Sequence, residues 1–199
     1  MTKHIITAKI LAAPLATMAG LSASAASEFG TLIFHDDFER SESQELKDEP
    51  GNNWTTSSHK TAGGRKQVDL RNGAMYMHTA EGANHAVSVR QAFAFRDGTV
   101  GMRFMLENDG EKLQLNFADM KLKTVHAGHL FDAKVSLTSV SFEDKKTGFM
   151  DLKIRAANKS KTLAAVDRVR LVKTKRKTIP HAIVKGVWHN QPRDLAPAN

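Results

Sequence analysis

Six polar side chains, Arg90, Arg103, Gln114, Asn116, Asp132 and Lys134, fall within short runs that alternate apolar and polar residues. That spacing places polar groups together on one face of a β-sheet. Planar amides, carboxylates and guanidinium groups donate and accept hydrogen bonds in pairs, as recognition of sugar hydroxyls requires, so the row is the candidate substrate-binding surface. An ordinary solvated sheet face would carry the same residue types. Within this region Asp132 and His129 are the first candidates for a catalytic base and its orienting partner.

His126 and His129 form a His-x-x-His pair. On a straight strand, positions three apart face opposite ways, and only a bend at Gly128 would bring the rings together. No third ligand follows at a fixed spacing, so no metal is assigned to the pair. Asp36 and Asp37 supply only two of the roughly six to eight oxygens that a calcium ion takes, and they read as strand-capping or surface charges. No cofactor is expected. Glu143 and Asp144 are adjacent, so on a strand they face opposite ways. Aromatic platforms for stacking on sugars are few beyond the phenylalanines, namely Trp54, Tyr76 and Trp188.

The elements that must position these groups are strands. Residues 68–70 and 74–78 flank Arg71-Asn72-Gly73, where Asn-Gly accepts the positive φ angles of a tight hairpin turn. Further strands are expected over 86–95, 99–106, 112–120, 133–137 and 140–143, with turns at Arg96-Asp97-Gly98 and Asn108-Asp109-Gly110. Met102, Phe104, Leu113, Leu115, Phe117, Phe131, Ala133 and Val135 fall on the apolar side of the alternation. An opening strand is expected at 32–34, turning acidic by residue 40. Residues 41–64 form a polar loop pinned by Trp54. This order predicts an all-β antiparallel sandwich. One basic helix interrupts it at about 155–172, with Leu163, Val166 and Val169 as the apolar stripe that docks it.

Bulk properties narrow the function classes. Lys3 and Lys9, the apolar run over 10–21 and Ala23-Ser24-Ala25 have the form of a secretory signal over 1–25, which implies a periplasmic or extracellular protein. The run is too short to span a bilayer and no later segment replaces it, so no transmembrane segment remains after cleavage. Residues 26–189 then make one domain, and 190–199, with two prolines, a disordered tail. The chain has no cysteine, which excludes disulfides, thiolate metal sites and thiol catalysis. Its formal charge of +8 is concentrated between Lys153 and Lys177, where ten Lys or Arg face one acid, Asp167. For an exported chain, nucleic acid is not the expected partner, and anionic envelope polymers are the alternative to a neutral glycan.

Several segments in order, LIFHDDFER at 32–40, FRDGTV at 95–100, QLNFADM at 114–120, HAGHLF at 126–131 and GVWH at 186–189, resemble the concanavalin A-like jelly-roll proteins. Among these, the chain is most similar to exported bacterial proteins named for family 16 glycoside hydrolases and 3-keto-disaccharide hydrolases. The resemblance implies a two-sheet sandwich with a glycan on its concave face, sometimes with hydrolysis. Family 16 hydrolases carry Glu-x-Asp-x-x-Glu on a strand so that both carboxylates reach one sugar, and this sequence has no such run. In such relatives Gly-x-Trp-His opens a strand that continues into further hairpins, whereas here Trp188-His189 runs into Asn190-Gln191-Pro192, and a truncated sandwich is expected.

Overall fold

A computed structural model describes residues 31–94 and 98–191. The signal at 1–25, most of the turn at 96–98 and the tail beyond residue 191 lie outside them. Every strand pairing is antiparallel, and the described residues form a β-rich fold with three helices. No helix among them is long and apolar enough to cross a membrane. The chain divides into two compact units, Met1–Glu111 with Lys185–Asn199, and Lys112–Val184.

In the first unit the sheets have two strands each. β1 (Thr55–Thr56) pairs with β4 (Val89–Arg90), β2 (Val68–Leu70) with β3 (Met75–Met77), and β5 (Met102–Phe104) with β10 (His189–Gln191). A single helical turn, α1 (Ser58–Thr61), follows β1. The β2–β3 hairpin closes as the sequence predicts, with Val68 opposite Met77 and Asn72 and Gly73 at φ of 52° and 61°. Its apolar residues reach the core: Val68, Ala74 and Met75 are fully buried, together with Phe38, Phe104 and Leu106.

Two expectations for this unit need correction. Residues 32–40 form no strand; Leu32 and Ile33 are exposed, and Phe38 adopts a φ of 57°, so only its second half turns inward. The strands expected over 86–95 and 99–106 shorten to β4 and β5, and they belong to different sheets.

The second unit is built on one four-stranded sheet in the order β6 (Lys112–Ala118), β7 (His129–Ser136), β8 (Ser139–Asp144) and β9 (Arg176–Pro180). Leu113, Val135 and Val140 are buried in register on its apolar side. Phe117 and Phe131 stack there with ring centroids 4.3 Å apart. Phe131 is nonetheless 45% exposed, against its expected place in the core, because the stack covers only one of its faces.

The single helix expected over 155–172 is two helices, α2 (Leu152–Lys159) and α3 (Ala165–Lys175). Asp151 caps α2, accepting from the backbone N–H groups of Lys153 and Ile154. At its other end Thr162 N donates to Ala157 O and Lys161 N to Asn158 O, with Lys161 at a φ of 60°. This is the paired backbone closure that a left-handed residue makes at a helix terminus. The break resets the helical phase, so Leu163 lies outside α3 while Val166 and Val169 are 73% and 67% exposed. The stripe does not dock; Leu171 is the residue of α3 that is buried.

Candidate functional site

Register fixes which side chains share the polar side of the four-stranded sheet. One rung runs Asn116, Asp132, Glu143, Arg176, and the next runs Gln114, Lys134, Ser141, Thr178. Beyond them Lys112 stands opposite Ser136. Ser136 and Ser139 flank the turn between β7 and β8, their hydroxyls 3.0 Å apart. The strands alternate as the sequence requires, and the result is a groove of about 200 Å³ lined by residues of all four.

Of the six side chains expected to form one surface, Gln114, Asn116, Asp132 and Lys134 come together here. Arg90 and Arg103 do not, since they lie on β4 and β5 of the other unit, in two-stranded sheets. Arg103 has its guanidinium 5.5 Å from the Trp188 ring centre, and its Nε is buried without a hydrogen-bond partner among the described residues.

The two ends of the groove differ in how their charges are matched. In the first rung Asp132 is 2% exposed, and its Oδ2 accepts from Gln114 Nε2 at 2.8 Å and pairs with Lys145 Nζ at 3.1 Å. Lys145 also pairs with Glu143 at 3.0 Å, and Arg176 binds the other oxygen of Glu143 at 2.6 and 3.0 Å. Burial alone would raise the Glu143 pKa, but the hydrogen bonds from Lys145 and Arg176 outweigh it and hold the carboxyl below its ordinary value. In the second rung and beyond, Lys134 and Lys112 have no carboxylate partner among the described residues, and neither the Ser141 nor the Thr178 hydroxyl makes a hydrogen bond there.

Glu143 is a site residue that the sequence reading did not find. It belongs beside Asp132 only because β7 and β8 pair with residues 132 and 143 opposite one another, a register that nothing in either strand alone announces. The same register gives two carboxylates within reach of one groove, the raw material of glycoside hydrolysis. Hydrolysis also needs one carboxyl that keeps its proton near neutral pH. Glu143 is shifted the other way, and Asp132 is covered by its own partners.

His129 does not orient Asp132. Its Nδ1 lies 2.8 Å from Asn116 Oδ1, which makes Nδ1 the donor and leaves the lone pair on Nε2. Burial, with the neighbouring His126 and Lys145, lowers its pKa, which favours the neutral ring. His126 comes within 6.3 Å of it, centre to centre, because a short 3-10 turn (His126–Gly128) bends the chain at a bulge in the β6–β7 ladder. Gly128 is required there: it has a φ of 69°, and a Cβ would stand 2.2 Å from the carbonyl oxygen of Asp119. No third ligand joins the two rings among the described residues.

A second polar cluster, in the first unit, was also missed; it joins Glu42 and Glu45 of the loop over 41–64 to Lys66 and to Asp69 on β2. Lys66 Nζ is ringed by Glu42, Glu45 and Asp69 at 2.8, 2.7 and 3.0 Å. These carboxylates are the only group of three possible metal ligands among the described residues, and the lysine ammonium occupies the position of a cation between them. Burial would lower the Lys66 pKa, but the three acids raise it above its usual value. Within the same cluster burial and the neighbouring Asp69 raise Glu42. Asp69 stays below its ordinary value, so of the two it is Glu42 that holds a proton more readily.

Asp36, weighed above as a calcium ligand, is instead saturated by protein donors. It accepts from Arg40 at 2.6 and 3.1 Å, Trp54 Nε1 at 2.7 Å, Asn52 Nδ2 at 3.0 Å and the Phe38 N–H at 2.9 Å. Trp54 thereby pins the loop as expected, packing its ring near Phe34 and Phe38. No protein-family model, curated protein or solved structure matches the chain.

Proposed function

We propose that this chain is an exported jelly-roll domain of the concanavalin A-like type, similar to the family 16 and 3-keto-disaccharide hydrolase-like proteins, that binds a glycan along the polar face of its four-stranded sheet. The observation that carries this reading is the second rung. Gln114, Lys134, Ser141 and Thr178 stand side by side across four strands and line up donors and acceptors at the spacing of adjacent strands. Sugar hydroxyls match such a row. Binding without hydrolysis is the activity this face supports, because both of its buried carboxylates are tied to cations.

A residue that fills the groove without touching the buried network tests the reading. Ser141→Trp places an indole on the floor beside Lys134 and Thr178. The expected result is loss of retention on immobilised glycans with an unchanged far-ultraviolet circular dichroism spectrum. Retention equal to wild type would remove the groove from consideration.

A second reading has its own observation. α3 keeps Arg168 and Lys173 exposed, outside any ion pair among the described residues, beside the uncovered Val166 and Val169. Anionic envelope polymers could be held there instead, in which case Lys173→Glu weakens retention and Ser141→Trp does not.

A further inference from the structure

Four cations and two carboxylates share the polar face: Lys112, Lys134, Lys145 and Arg176 against Asp132 and Glu143. Lys145 pairs with both carboxylates and Arg176 with Glu143, so each acid has a cation beside it. Lys112 and Lys134 remain. They occupy diagonal positions, since Lys112 stands opposite Ser136 and Lys134 is two residues before Ser136 on the same strand and the same side. Diagonal neighbours of this kind lie about 7–8 Å apart, close enough for two ammonium groups to reach one bound anion. With no acid between them, their mutual repulsion is an unmet demand for negative charge.

The surrounding groups are of the matching kind. Ser141 and Thr178 offer hydroxyls without partners of their own, and Gln114 is fixed by its bond to Asp132. A neutral sugar would satisfy the hydroxyls and leave both lysines unmatched. A sugar bearing a carboxylate or a sulfate would satisfy both sets. Charge-assisted hydrogen bonds to such a group are shorter and stronger than those between neutral partners.

We propose that the ligand of this groove is an acidic glycan whose carboxylate or sulfate group is received between Lys112 and Lys134. This rests on the groove being the glycan site and adds the chemical class of the glycan. The groove end at Asp132 and Glu143 is already balanced by Lys145 and Arg176, so the demand for an anion lies at the lysine end.

The test uses the full chain and three probes: polygalacturonate for carboxylates, a sulfated galactan for sulfates, and a neutral glucan. Wild type is expected to retain at least one acidic polymer and to bind the glucan weakly. Lys134→Gln and Lys112→Gln should each weaken acidic binding about tenfold, and Lys173→Gln should leave it unchanged. The acidic probe that is retained identifies carboxylate or sulfate as the recognised group. Equal retention of the glucan, insensitive to both substitutions, would overturn the acidic-glycan inference while sparing the groove. Acidic binding that survives both substitutions but falls with Lys173→Gln would move the site to α3. A folded wild-type protein that retains none of the three probes would overturn both the inference and the reading beneath it.

Discussion

Lys66 and Lys134 are the same residue type in two opposite situations. In the first unit Lys66 is 12% exposed and enclosed by three carboxylates, whereas in the second unit Lys134 stands on an open groove with no acid to meet it. Asp36 repeats the closed arrangement, with five donors on one carboxylate. Closed clusters like these satisfy buried groups and so hold the fold; they have nothing left for a ligand. The groove differs because part of it is closed, around Lys145, and part is unmatched. Function is best sought where donors have been positioned by the sheet but left without acceptors.

The contrast is most sharply broken by removing each lysine's charge. Lys66→Met leaves Glu42, Glu45 and Asp69 facing one another with no cation between them, two of them largely covered. Removing one member of such a buried group costs about 3–5 kcal/mol. Lys134→Met loses no ion pair and should stay within about 0.5 kcal/mol of wild type. Urea unfolding of the two variants side by side measures both, and equal losses would erase the distinction between closed and open clusters. The raised Lys66 pKa gives the same cluster a signature in pH. Its contribution is fully present below pH 10.5 and is lost as pH rises through the folded value, so wild type should lose stability in alkali more steeply than Lys66→Met.

Asp36 tests the closed arrangement from the acid side. Burial would raise its pKa, but the bonds from Arg40, the Phe38 N–H, Asn52 and Trp54 outweigh it and hold the carboxyl below 3.8. A carboxyl lowered in this way contributes stability that is present above pH 3.8 and disappears as pH falls through the folded value. Asp36→Asn keeps the shape but weakens every one of those bonds, and a loss of about 2 kcal/mol at pH 7 is expected. As pH falls through the folded value the variant and wild type should converge. A difference that persists undiminished there would mean that packing, rather than the charge, accounts for the effect.

What the sequence made legible follows from the range of each signal. The Asn72-Gly73 hairpin and the alternation over 112–118 and 131–136 are local and hold in the structure, although the strand expected over 133–137 runs over His129–Ser136. Four of the six proposed surface residues came with that alternation. Arg90 and Arg103 were grouped with them on the assumption that successive strands are neighbours, and β4 and β5 instead pair with β1 and β10. Glu143 was passed over for a similar reason: its partner in the groove is Asp132, set by register, while in sequence it stands beside Asp144. The carboxylates around Lys66 come from positions up to 27 residues apart, Glu42 and Glu45 in an aperiodic loop and Asp69 on β2, so no local pattern could have gathered them. The helix break was hidden because Ser160-Lys161-Thr162 contains neither of the residues that usually end a helix, glycine and proline.

That break supplies a small expected effect and the one of opposite sign. Lys161 holds a φ of 60° at the position after the α2 C-cap, a conformation that crowds its Cβ against the backbone and that glycine adopts freely. The two backbone bonds that close the helix, from Lys161 N and Thr162 N, do not involve its side chain, which makes no ion pair among the described residues. Lys161→Gly should therefore stabilise the protein by up to about 1 kcal/mol, despite the greater freedom that glycine adds to the unfolded chain. Because residue 161 lies outside the groove, acidic-glycan retention should not change with it. A destabilised Lys161→Gly variant would mean that α2 and α3 are not separated by this turn in solution, and the exposed Val166 and Val169 would then have to be placed again on a single continuous helix.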